Sequence, residues 1–199
     1  MDAKYLEKFY ESVTETCMEN FCRADLTELL VRLLATEKMP MHCPVHHYIV
    51  PAALLTAVRA GQGRSPEALK ADLDEALERA LEVPGGFCGY SGCCGAAVGV
   101  GIFWSIVTSS TPMSEASWGF IQKKTAEALL EMAKHGGPRC CKRCSVIAVG
   151  AAARQVQETL KFDLGWTTPT ECDYQDSNDD CSKERCPFYK RTESETLRQ

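Results

Sequence analysis

Apolar residues recur at three- and four-residue spacing almost throughout this chain, and alternating runs of strand length are hard to find. That periodicity limits the fold to the all-α class. Proline, glycine and capping residues divide it into seven expected helices. The first covers about 2–21. The second opens at Asp25, a good N-cap, with Leu26, Leu29, Leu30, Leu33 and Leu34 as its buried stripe, and stops at Met39-Pro40. The third covers 44–60, with Pro51 inside it as an expected kink. The fourth starts at Ser65-Pro66 and buries Leu69, Leu73, Ala76, Leu77, Ala80 and Leu81. After a glycine- and cysteine-rich loop at 84–95, further helices are expected over 96–108, 114–135 and 138–162. Phe103, Trp104, Trp118 and Phe120 read as core aromatics, and the acidic run 173–180 as a solvated loop. With 45% hydrophobic and 25% charged residues, the composition fits one helical domain at 1–166. Residues 167–199, rich in Thr, Asp, Asn and Ser, read as a cysteine-containing extension packed back on the N-terminal helix.

The unusual component is cysteine, twelve in 199 residues. That is roughly 6%, below the density of small secreted disulfide scaffolds. The vicinal pairs Cys93-Cys94 and Cys140-Cys141 argue against a disulfide ladder. The N-terminal segment is acidic and amphipathic, without the basic and apolar regions of a signal peptide. A cytoplasmic protein with reduced thiols is expected. The most apolar stretch, 93–107, carries three glycines and is shorter than the roughly 18–20 residues a membrane span requires. A formal charge of −5 gives no general basic field for nucleic acid. Neither a dinucleotide fingerprint, a phosphate-binding loop nor a zinc-protease motif is present.

Cysteines stand at three expected helix starts: Cys43 before Pro44, Cys93-Cys94 before the glycine-bearing helix, and Cys140-Cys141 after Pro138. A helix N-terminus presents unpaired N–H groups and about half a positive charge, which favours thiolate or an anionic cluster. His42, His46 and His47 surround Cys43, with His46 and His47 three and four residues after it and so on its helical face. They suit metal ligation, general-base activation of a thiol, or support of other ligands. Arg139, Lys142 and Arg143 are placed to stabilise thiolates or hold an anionic substrate. Cys141 and Cys144 formally make a C-x-x-C, but no strand–helix–strand context surrounds it. Cys93, Cys140 and Cys144 receive no role.

The extension carries Cys172, Cys181 and Cys186, the last followed by Pro187. Three thiols in polar sequence with few core residues have little packing reason to be there, so metal ligation is expected, by iron–sulfur or by zinc. Cys17 or Cys22 on the first helix is the expected fourth ligand.

The segments HCPVHH at 42–47, GGFCGYSGCCGA at 85–96, GGPRCCKR at 136–143 and CPF at 186–188 also carry a resemblance. Cys43, then Cys94-Gly95-Ala96-Ala97-Val98-Gly99, then Cys140/Cys141 stand in the order of a family assigned to redox chemistry and named for its C-GCAxxG-C-C pattern. The segments together resemble more closely an uncharacterised cysteine-rich family of anaerobic bacteria and methanogens, sometimes fused to methyltransferase-like domains. The resemblance implies a helical fold and an anaerobic, iron–sulfur setting. The resulting expectation is one or two clusters, 4Fe–4S in type, serving redox or sulfur-transfer chemistry. Cys43, Cys88, Cys94 and Cys141 form the core site, and Cys172, Cys181 and Cys186 with Cys17 or Cys22 the peripheral one. His46 and His47 tune or protonate at the core site, while Arg139 and Lys142 hold a small anionic substrate or the cluster charge. Two other classes remain open: a zinc-stabilised accessory module for a redox or methyltransferase partner, and a metal-free thiol enzyme using Cys43 or Cys141.

Overall fold

The computed structural model describes residues 3–23 and 25–191. Among them are eight α-helices: α1 Ala3–Glu19, α2 Leu26–Leu34, α3 Val45–Gly61, α4 Pro66–Leu81, α5 Phe87–Tyr90, α6 Gly95–Val107, α7 Glu115–Ala133 and α8 Cys141–Leu160. The described residues contain no strand, so the all-α expectation holds; the helix beyond the expected seven is the four-residue α5. The expected first helical residue, Asp2, and the charged segment 192–199 lie outside the described residues.

Local chemistry sets the helix starts. The Asp25 carboxylate accepts the Glu28 N–H at 3.0 Å, and the Ser65 hydroxyl accepts the Ala68 N–H at 3.3 Å with Pro66 in the first helical position. α2 stops at Leu34, before Met39-Pro40, because the Thr36 hydroxyl donates to the Leu33 carbonyl at 2.9 Å and caps the end. All five stripe leucines of α2 are buried, each stabilising the fold by about 1.5–3 kcal/mol. Two expected core side chains are not in the core. Leu81, in the last turn of α4, is 57% exposed, and Trp118 is 54% exposed. Trp118 lies in the first turn of α7 and borders Arg79, Pro112 and Ile121 at the surface.

α3 is the centre of the molecule. Fourteen consecutive residues, 45–58, are buried, and the helix packs against α1, α2, α4, α6 and α8. A helix apolar on every side belongs inside a bundle. Pro51 lies within it and has no N–H to give the carbonyl of His47, four residues earlier. α6 lies against α3 at that point. A Cβ on Gly99 would stand 2.9 Å from the His47 carbonyl oxygen and 2.9 Å from Pro51, and a Cβ on Gly95 would strike the His47 ring. Only glycine lets the two backbones come this close.

After α8 the chain carries no α-helix among the described residues. It returns to α2, where Leu26 N–H donates to the Leu164 carbonyl at 3.4 Å and Thr27 accepts the Thr167 N–H at 2.8 Å. Farther on, His42 donates to Asn178 at 3.2 Å and Arg143 to Ser182 at 3.0 Å. Asn178, within the run expected to be a solvated loop, is buried. No helix of the described residues is long and apolar enough to cross a membrane.

Candidate functional site

The starts of α3, α6 and α8 meet around one open cavity of about 640 Å³. His46 and His47 come from the first turn of α3, Cys94 is the N-cap of α6, Cys140 is the N-cap of α8, and Cys141 and Cys144 occupy its first turn. Cys88 of α5 and exposed Arg139 complete this wall. Cys43 lies behind it, close enough to Cys141 for their charges to interact. All twelve cysteines are thiols.

The thiols are not equivalent. Cys94 falls to a pKa of about 6, chiefly because Cys144 donates a hydrogen bond to its sulfur; burial opposes this, and the Ala96 and Ala97 N–H groups and the Arg143 charge assist. Cys144 moves the opposite way, held protonated first by its bond to Cys94 and then by burial. Burial, followed by the proximity of Cys43 and Cys94, pushes Cys141 up to about 12. Burial also raises Cys43 and Cys140. Near pH 7, Cys94 is therefore the thiolate and Cys144 its hydrogen-bond donor.

The two histidines share one arrangement. His46 Nδ1 lies 3.1 Å from the Cys43 carbonyl, and His47 Nδ1 lies 3.1 Å from the Val83 carbonyl. A carbonyl can only accept, so each ring carries its proton on Nδ1 and a lone pair on Nε2. His46 Nε2 is buried and has no hydrogen-bond partner. Burial, then the Lys142 charge, lowers His46 to a pKa of about 3, so it stays neutral. Burial lowers His47 as well. A neutral imidazole whose Nδ1–H is fixed by a carbonyl is the form in which histidine binds metals.

The expected site residues divide unevenly. Cys88, Cys94, Cys141, His46, His47 and Arg139 line the cavity. Lys142 turns away from it: its ammonium donates to the Leu34 carbonyl and lies 4.7 Å from the centre of the Tyr174 ring. Cys172, Cys181 and Cys186 line a separate pocket of about 70 Å³. Neither expected fourth ligand joins them. Cys17 is wholly buried beside Thr56, and Cys22 is exposed. Cys17 continues the inward stripe Leu6, Phe9, Tyr10, Val13 of α1, a packing position. The thiol that faces the terminal set is Cys140. Sequence reasoning gave Cys144 no role, although its four-residue step from Cys140 was an available signal; Arg143, read there as a thiolate-stabilising cation, acts on Cys94. Among the described residues, no group of three or more His, Cys, Asp or Glu side chains is already set to hold a metal ion.

No curated protein and no solved structure matches the chain. One family matches over residues 13–189, a span that includes all twelve cysteines and all four histidines, and its description is a family of unknown function (DUF5714).

Proposed function

The chain belongs to the DUF5714 family, and for it we propose iron–sulfur binding with a redox or sulfur-transfer role in anaerobic metabolism. The observation that carries this reading is the buried, unpartnered Nε2 of His46 beside a cavity lined by thiols from three helix starts. The resemblance to the C-GCAxxG-C-C pattern supports it. Cys88, Cys94 and Cys141 are the proposed thiolate ligands, with Cys43 and Cys144 in reserve and His46 or His47 as nitrogen ligands. Several thiols distributed around a cavity of about 640 Å³ suit a group larger than a single ion. When bound, the cluster supplies electron transfer or sulfur. The protein supplies the positive ends of three helices, Arg143 beside Cys94, and Arg139 at the mouth for an anionic substrate.

The test is anaerobic purification followed by iron and sulfide analysis. Coloured protein with matching iron and sulfide is expected, with both reduced in Cys94→Ser and Cys141→Ser and unchanged in Cys22→Ser. Colourless protein that takes up no iron on anaerobic reconstitution would refute the reading.

One observation favours a second, metal-free reading: Cys94 and Cys144 line the same cavity, at the starts of α6 and α8, and Cys94 is the thiol whose pKa is lowered there. Cys94 would attack one sulfur of a substrate disulfide and expel the other as thiolate. Cys144, losing its proton, would then displace the bound sulfur, leaving a Cys94–Cys144 disulfide and passing two electrons to the substrate. Reduction of a disulfide substrate by iron-free protein, abolished by Cys94→Ser, distinguishes it.

A further inference from the structure

The pocket formed by the extension shares Cys140 and Arg143 with the cavity at the helix starts and adds three sulfurs of its own. Cys140, Cys172, Cys181 and Cys186 all line it, with Lys142, Tyr174 and Asn178. Cys172 is within electrostatic range of each of the other three thiols.

Three of the four sulfurs accept a backbone N–H from just ahead in the chain. Arg143 donates to Cys140 at 3.5 Å, Tyr174 to Cys172 at 3.4 Å and Lys183 to Cys181 at 3.4 Å. The Asn178 amide adds a long contact to Cys140 at 3.9 Å. Hydrogen bonds of this kind stabilise the charged form of a thiol. The buried ammonium of Lys142 interacts most with Cys43 and Cys141 and also with Cys140 and Cys172.

Four thiolates around a divalent cation leave a net charge of −2. Backbone donors and a buried cation are the groups that offset such a charge. The extension lays Pro169, Tyr174, Phe188 and Tyr189 along this pocket, and apolar packing accounts for those side chains but not for backbone donors aimed at three sulfurs. A pocket of about 70 Å³ has room for one ion. The four sulfurs do not converge on a common point, so binding must bring them together. Three of the residues that must move, Cys172, Cys181 and Cys186, lie outside any helix.

We propose that Cys140, Cys172, Cys181 and Cys186 form a closed structural zinc site that fastens the extension to the start of α8. The vicinal pair is thereby divided, Cys141 serving the large cavity and Cys140 the zinc. This assignment stands independently of the iron–sulfur reading.

The experiment measures zinc in the anaerobically purified full chain and, separately, follows cobalt(II) added to metal-stripped protein. Expected are one zinc per chain, thiolate-to-cobalt charge-transfer absorption, and an absorption edge fitted by four sulfurs at about 2.3 Å. Zinc should fall to near zero in Cys172→Ser and Cys140→Ser and persist in Cys94→Ser and Cys17→Ser. The cobalt measurement uses the unaltered chain, so it remains decisive if a variant fails to fold. Absence of both zinc and cobalt absorption, zinc retained in Cys172→Ser, zinc lost in Cys17→Ser but not in Cys140→Ser, or iron with sulfide bound by these four residues would each overturn the proposal. Loss of iron from the large cavity, with zinc retained, would refute only the iron–sulfur reading.

Discussion

Replacing Cys144 with alanine removes the largest influence on Cys94. In the native chain Cys94 has a pKa of about 6, against an ordinary thiol value of 9.0. At pH 7 that is the difference between roughly 90% and roughly 1% thiolate, about a ninetyfold change in population. A thiolate of higher pKa is also the better nucleophile. With a Brønsted slope of about 0.4–0.5, the change from 6 to 9 returns roughly 16- to 32-fold in reactivity. The alkylation rate of Cys94 at pH 7 should therefore fall only about three- to sixfold. The informative quantity is the pH midpoint, which should rise from about 6 toward the ordinary thiol range, as burial then opposes only the Ala96 and Ala97 N–H groups and the Arg143 charge. The assay is iodoacetamide labelling of metal-stripped protein across pH, resolved by peptide mass spectrometry, with exposed Cys22 as internal reference. A midpoint that stays near 6 in Cys144→Ala would refute the assignment of Cys144 as the stabilising donor.

Gly95→Ala should place a methyl group against the His47 ring and destabilise the chain by about 1–3 kcal/mol in urea titration, despite alanine's better helix propensity; an unchanged or raised midpoint would contradict the close approach. Gln155 accepts the Trp104 indole N–H at 2.8 Å, so Gln155→Ala should cost about 1–3 kcal/mol by leaving a buried donor unpaired, measured in the same titration. His46 is neutral when folded, with a pKa of about 3 against 6.5 unfolded. Between those values the unfolded chain binds the additional proton, so stability falls with decreasing pH, by about 1.4 kcal/mol per pH unit in mid-window, and His46→Gln should remove that slope. Denaturant titrations at pH 4.5 and 5.5 measure it.

Helical periodicity made the architecture legible because it depends on near neighbours in sequence: the α2 stripe and the Asp25 and Ser65 caps stand where spacing placed them. The same rule would have assigned Cys17 to the core, had the inward stripe of α1 been followed to its last member. Gly95 and Gly99 were readable as close-approach positions, although not their partner, His47. The pairing of Cys94 with Cys144 joins residues fifty positions apart on different helices, and no local pattern encodes that. Lys142 shows a further limit. Its charge suggested a substrate or a thiolate cluster, and no local pattern foretold that packing would bury it against the Leu34 carbonyl and the Tyr174 ring, among four thiols.

The unbroken burial of α3 has a consequence for the order of events when the chain binds a ligand. Amides in such a helix exchange with solvent only when the whole domain opens, so residues 46 and 47 should be among the slowest to exchange deuterium. Their rings are then held in place before anything arrives, and little ordering entropy is lost at that wall of the cavity on binding. Residues 172–186 lie outside any α-helix, so whatever they bind must also immobilise them. Occupancy of the large cavity should leave deuterium uptake of α3 nearly unchanged, and occupancy of the small pocket should slow uptake across the extension.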